Sequence, residues 1–192
     1  MDKSFWESRW QDKNTGWDIG YANPAICNFM EQYGDKDAAI LIAGCGNAYE
    51  AEFLIKNGFT NITLIDIAET AVKNLQEKFK AEKFIRILCE DYFEHNDIYD
   101  VVIEQTFFCA INPSQRAEYA KKAHSLLNEN GILTGVLFNR EFEKAGPPFG
   151  GSREEYVEYF KPYFDFEIFE TCSSSIPARQ GSELFIKLVK KK

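Results

Sequence analysis

Residues 44–46 read Gly-Cys-Gly and follow directly on the apolar run Ala39–Ala43. Glycine on both sides of Cys45 lets the backbone turn tightly and leaves no Cβ between the chain and a ligand lying against it. Twenty residues after Gly46 stands Asp66, at the end of a second apolar run, Ile62–Ile65, with Ile67 beside it. An acidic side chain there can accept both hydroxyls of a ribose, as in dinucleotide-binding folds. It can equally cap the helix that begins near Ala68. The dinucleotide fingerprint G-x-G-x-x-G requires glycine at 49, where this chain has Tyr49. Gly44, Cys45, Gly46, Asp66 and Ile67 therefore point to an adenosine-bearing ligand that lacks a pyrophosphate. An NAD-dependent oxidoreductase is the competing reading.

Two further run ends carry candidate chemistry. Glu90-Asp91-Tyr92-Phe93 follows the run Phe84–Leu88. Asp91 can accept an adenine amino group while Tyr92 or Phe93 lines the ring; the alternative is a surface loop with one core aromatic. Glu104 and Gln105 end the run Tyr99–Ile103. A carboxylate there either serves a cationic centre of the ligand or is simply a strand-end charge. Near the start, Trp6 and Trp10 are four apart and share a helix face, and Trp17 follows. Three indoles so close together either seal a helix onto the domain or form an aromatic lid, since aromatic faces attract cations by ~0.5–2 kcal/mol. Cys45 and Cys109 read as packing residues rather than nucleophiles.

The elements that must position these residues alternate. Continuous apolar runs that stop at glycine or an acid are buried strands. Helical spacing separates them over Ala48–Asn57, Glu69–Lys80 and Pro113–Asn128, the last closing in a turn at Asn130-Gly131. Ile132–Phe138 is a fifth strand, and Phe164–Thr171 and Glu183–Val189 form a late antiparallel pair. The fold class is α/β and Rossmann-like, a mostly parallel seven-stranded sheet with helices on both faces. Ligands of such sheets sit beyond the carboxyl ends of the strands. At 192 residues the chain is expected to form one structural domain, with residues 1–36 as an N-terminal helical lid and residues 37–192 as the catalytic unit.

Composition removes other classes. A formal net charge of -8, with Lys190-Lys191-Lys192 as the only basic run, argues against a nucleic-acid partner. Five scattered cysteines and two histidines offer no metal-ligand spacing. The N-terminus lacks the pattern of a signal peptide, and no apolar run approaches the ~20 residues needed to span a bilayer. These features predict a cytoplasmic protein, a monomer or small homo-oligomer, with no membrane association.

The tryptophan pattern Trp6-x3-Trp10-x6-Trp17-Asp18-x-Gly20, Gly44-Cys45-Gly46, Asp66, the stretch from Tyr99 to Ala110, Gly146-Pro-Pro-Phe149 and Arg179-x-Gly181-x-Glu183 together resemble the thiopurine S-methyltransferase-like enzymes. The similarity is nearest to the branch acting on thiols, thiocyanate and halides, and it runs through nearly the whole chain. The resemblance implies a methyltransferase with S-adenosyl-L-methionine as cofactor and S-adenosyl-L-homocysteine as product. It implies cofactor contacts from Trp6, Trp10, Trp17, Gly44, Asp66, Asp91, Tyr92 and Gln105. Phe108, Pro147, Phe149 and Arg179 are the expected acceptor-side residues, and no residue is assigned as catalytic.

Two departures bear on the acceptor. The halide branch commonly has Asp-Tyr where this chain has Glu104-Gln105, and its Gly-Pro-Pro motif usually continues with Tyr where Phe149 stands here. The expected reaction is in-line attack of a small soft nucleophile on the sulfonium methyl, driven by alignment and water exclusion and needing no general base. Arg179 either draws in an anionic acceptor or is an exposed loop cation. A non-catalytic cofactor-binding member is the third reading.

Overall fold

In the computed structural model, which describes residues 1–192, every apolar run expected to form a strand does so. They are β1 (Ile40–Ala43), β2 (Ile62–Asp66), β3 (Ile85–Cys89), β4 (Tyr99–Gln105), β5 (Leu127–Phe138), β6 (Phe164–Thr171) and β7 (Glu183–Lys190). They form one sheet in the order β3-β2-β1-β4-β5-β7-β6. The first five are parallel. The last two are antiparallel to each other, as expected, and β7 is inserted between β5 and β6.

The helices are α1 (Lys3–Gln11), α2 (Pro24–Glu31), α3 (Tyr49–Lys56), α4 (Glu69–Lys78), α5 (Arg116–Ser125) and α6 (Arg153–Phe160). Strand alternation divides the core between the two faces of the sheet. Leu41 and Ala43 pack with Tyr119 and Ala123 of α5 and with Tyr156 and Phe160 of α6. Ile40 and Ile42 pack with Ile26 and Met30 of α2, Leu54 of α3 and Leu75 of α4. Each such apolar side chain, fully buried, contributes roughly 1.5–3 kcal/mol.

One expected boundary is corrected. The helix anticipated over Pro113–Asn128 is a 3-10 turn, Pro113–Gln115, followed by α5, which ends at Ser125. Tyr99 already pairs with Leu127, so the chain enters β5 at once. Asn130 then takes up a left-handed conformation (φ 62°) inside an irregular stretch of the β4–β5 pairing, where a turn was expected.

Parallel register sets the strand ends level. Ala43 lies beside Ile65 and Asp66 beside Cys89, and Ile42 pairs with Ile103, so Gly44, Asp66, Glu90 and Gln105 all emerge along one edge. Helix α1 lies over this edge and buries none of its own residues. It is held to the start of α4 by polar contacts: Glu7 accepts the Thr70 N–H at 3.1 Å, and Lys3 pairs with Glu69 at 2.6 Å.

Candidate active site

A cleft of about 470 Å³ opens over the carboxyl edge of the sheet. Its walls bring together Trp6, Trp10, Trp17, Gly44, Gly46, Asp66, Pro147 and Arg179, residues spread over most of the chain. The tryptophans form one aromatic group, with Trp17 edge-on to Trp6 at 5.5 Å and to Trp10 at 6.0 Å between ring centroids. Gly44 and Gly46 both have positive φ, 56° and 52°, the conformation for which glycine is needed. A Cβ on Gly46 would lie 3.7 Å from the Trp10 ring, so the loop faces the indoles directly.

Asp66 is buried at the end of β2. Its Oδ1 accepts the Ala68 N–H at 3.0 Å in a turn that leads into α4, whose N-cap is Ala68 and not Asp66. Its Oδ2 accepts the Gly46 N–H at 3.1 Å, locking the glycine loop to the neighbouring strand. Burial raises its carboxyl above the ordinary value, opposed by these N–H groups. Each oxygen keeps a lone pair for a further donor.

Side pockets continue the cleft in two directions. Toward β3, Ile67, Asp91 and Tyr92 meet Trp6, Gly44 and Asp66. The Asp91 carboxylate there is engaged by the Phe93 N–H at 2.9 Å. Toward α3, Cys45 and Gln105 meet Trp17 and Gly46. Asp18, next to Trp17, accepts the Asn47 amide at 2.5 Å and the Tyr49 hydroxyl at 3.3 Å. The tyrosine that departs from the dinucleotide fingerprint therefore ties the tryptophan segment to the glycine loop.

Three expected residues lie elsewhere. Glu104 is 1% exposed beneath the cleft. Its Oε1 accepts the N–H groups of Phe107 and Phe108, both at 2.8 Å, and its Oε2 accepts the Tyr119 hydroxyl at 2.6 Å. Burial pushes its carboxyl up to about 7. It organises the turn after β4 instead of facing a ligand. Phe108 is packed in the core against Tyr119, Tyr156 and Phe160. Its neighbour Phe107 lines the cleft in its place, because Thr106 takes a left-handed conformation (φ 58°) and turns the following residues. Phe149 is not a wall residue: its N–H bonds the Cys109 carbonyl at 2.7 Å, and its own carbonyl accepts from Arg116 at 3.3 Å.

The walls also include residues that sequence reasoning did not single out: Arg9, Asn14, Thr106, Phe107, Phe138, Lys144 and Pro148. The signal for Phe107 was its place in the turn that follows β4, two residues past Gln105 on the ligand-bearing edge. Cys109 reaches the wall, but burial pushes its thiol up to about 12, and Cys45 is likewise raised well above its ordinary value. Both stay protonated, as packing residues do. Arg179 is no free loop cation. It bonds Glu183 at 3.3 Å and the Trp17 carbonyl at 3.4 Å and lies 5.2 Å from the Phe138 ring centroid.

Comparison with known proteins places this architecture. The chain is 30% identical over 185 residues to a probable thiol methyltransferase 2 of Arabidopsis thaliana, spanning 93% of this chain and 81% of that protein. It is 26% identical over 189 residues to thiocyanate methyltransferase 1 of Brassica oleracea, spanning 95% and 83%. Among solved structures, it superposes on the Burkholderia thailandensis 1,6-didemethyltoxoflavin-N1-methyltransferase, which holds 1,6-didemethyltoxoflavin and S-adenosylhomocysteine. The TM-score is 0.81 at 16% identity, covering 99% of this chain and 87% of that one. The family model described as Thiopurine S-methyltransferase (TPMT) matches residues 1–191, and the chain belongs to that family of methyltransferases.

Proposed function

We propose that the protein transfers the methyl group of S-adenosylmethionine to a small soft nucleophile, a thiol or an anion such as thiocyanate, in the cleft over the carboxyl edge of the sheet. The observation that carries this reading is the convergence of Gly44, Gly46, Asp66 and all three tryptophans on a single cleft, whose walls also carry Pro147 and Arg179. The acceptor classes are those in the names of the thiol and thiocyanate methyltransferases to which the chain is similar.

The residues fit the cofactor. Asp66 keeps an open lone pair on each oxygen for ribose hydroxyls, Asp91 and Tyr92 border the space an adenine would fill, and the indoles suit a sulfonium. When bound, S-adenosylmethionine supplies an electrophilic methyl group. The protein's part is alignment and exclusion of water: α1 and the segment to Trp17 act as the lid, with α1 anchored by Glu7 and Lys3. Helix α2, the rest of the expected lid over residues 1–36, packs into the core through Ile26 and Met30. Arg9, Lys144 and Arg179 put three cations on the cleft walls beside the carboxylate of Asp66, with Glu183 pairing Arg179 behind them, in a chain of net charge -8. That local inversion favours an anionic acceptor. No helix is long and apolar enough to cross a membrane. All five cysteines are unpaired, which supports the cytoplasm as the compartment.

A mass-spectrometric screen of thiols, thiocyanate and halides with isotopically labelled S-adenosylmethionine tests the reading. Label in a methylated product is the expected result. Tight S-adenosylhomocysteine binding with no product across the panel would instead identify a cofactor-binding member without catalysis. No affinity for S-adenosylhomocysteine would overturn the reading altogether.

A further inference from the structure

Beside the main cleft lies a second, smaller pocket of about 10 Å³, the lower limit for one water. It is bounded by Glu104, Thr106, Phe108, Cys109, Phe138 and Glu183, among others. Thr106, Cys109 and Phe138 are also wall residues of the main cleft, so the two spaces are separated by one layer of side chains. Glu183 is 2% exposed. Its Oε1 receives Arg179 at 3.3 Å, while its Oε2 is buried without a hydrogen-bond partner in the protein. A buried carboxylate oxygen left unbonded costs about 1–3 kcal/mol or more, and such an atom beside a water-sized space calls for a donor.

We propose that Glu183 is the proton acceptor for thiol substrates, reached through one water held in this small cavity. The inference rests on the methyl-transfer reading above. An anion such as thiocyanate arrives with its lone pair free, but a thiol with an ordinary pKa of about 8.5 is almost wholly protonated at pH 7. In the proposed step the thiol S–H bond breaks as the water takes its proton and passes one of its own to Glu183 Oε2. The sulfur pair forms the new S–CH3 bond while the sulfonium S–CH3 bond breaks, its electron pair staying on S-adenosylhomocysteine. The proton leaves to solvent after the products. Three groups surround this route. Arg179 holds the Glu183 carboxylate in place, the Cys109 thiol is engaged by the Thr106 carbonyl at 3.2 Å, and Glu104 has its oxygens occupied by Phe107, Phe108 and Tyr119. Of the two carboxylates on the small cavity, only Glu183 has an oxygen without a partner.

The test measures kcat/KM for an alkyl thiol and for thiocyanate, in the wild-type protein and in Glu183→Gln, from pH 6 to 10. Loss of the Arg179 partnership lowers both activities, so the informative quantity is their ratio. At pH 7 the variant should lose at least about tenfold more on the thiol than on thiocyanate, a difference of about 1.4 kcal/mol. Its thiol activity should then climb with the thiolate fraction and approach the wild-type value above the thiol's own pKa. The wild-type thiol profile should already be flat below that pKa, a measurement that needs no folded variant. Equal losses on both acceptors at every pH, or a wild-type profile that itself follows the thiolate fraction, overturns the proposal. S-adenosylhomocysteine affinity by calorimetry reports the cofactor site separately, and a loss there equal to the activity loss assigns Glu183 to site folding and also overturns it. A wild-type protein that methylates neither acceptor overturns the methyl-transfer reading, and this inference with it.

Discussion

Asp66 Oδ2 accepts the N–H of Gly46 at 3.1 Å, joining the acidic end of β2 to the glycine loop that follows β1. One carboxylate thus shapes the loop and, through its remaining lone pairs, offers acceptors to the cleft. Asp66→Ala should weaken S-adenosylhomocysteine binding by roughly 1–3 kcal/mol, measured by calorimetry. Asp66→Asn keeps only one acceptor oxygen and turns its NH2 toward the Gly46 or Ala68 N–H, so it should weaken binding as well. Unchanged affinity in Asp66→Ala would remove the residue from the cofactor site.

Gly44 has no room for a side chain. A Cβ there would overlap the Phe107 ring, and its φ of 56° is one that L-residues rarely adopt. Gly44→Ala should displace Phe107 and reduce cofactor affinity at least about tenfold, with a stability loss of roughly 1–3 kcal/mol in denaturant titration. Normal affinity would mean that Phe107 moves aside without cost to the cleft.

Glu104 should make stability depend on pH. Its folded-state carboxyl stands at about 7, above its ordinary 4.5, so its contribution is fully present when it is protonated below about pH 4.5 and is lost as pH rises through about 7. The shift corresponds to roughly 3 kcal/mol. Glu104→Gln cannot ionise, so its melting temperature should fall less than that of the wild type between about pH 5 and 8. Parallel melting curves across that range would contradict the assignment.

Arg116 is 1% exposed and clamps the segment that carries Pro147 and Pro148. It donates to the Gly150 carbonyl at 2.7 Å and pairs with Glu155 at 2.9 Å. Arg116→Lys lacks the planar fork and should cost roughly 1–3 kcal/mol of stability while raising the acceptor KM more than the cofactor Kd. Equal effects on both constants would show that the clamp serves the whole domain and not the acceptor wall.

How far the site can be read from sequence depends on what each residue answers to. Strands such as Ile40–Ala43 are buried on both faces, so their apolar runs stand out, and the topology that follows brings Asp66 level with Gly44. Choosing between adjacent aromatics is a different matter. Phe107 and Phe108 differ by one position, and only the left-handed turn at Thr106 sends the first to the cleft and the second to the core. Glu104 misleads for a related reason: a strand-end acid looks available until the turn after it folds back its own N–H groups. Helix α6 has a start legible in the sequence, since Ser152 accepts the Glu155 N–H at 3.2 Å in the S-x-x-E pattern of a capped helix. Helix α2 likewise begins Asn23-Pro24, with Asn23 accepting the Ala25 N–H at 2.9 Å.

The placement of the tryptophans has a practical corollary. Trp6, Trp10 and Trp17 are the only three in the chain, and all three line the cleft, two of them edge-on to the third. The protein therefore carries its own optical gauge. Its red-edge fluorescence comes entirely from indoles facing one space, with no distant emitter to dilute the signal. Titration with S-adenosylhomocysteine should change intensity and emission maximum together, and each Trp→Phe replacement would apportion that change among three fixed points on the lid.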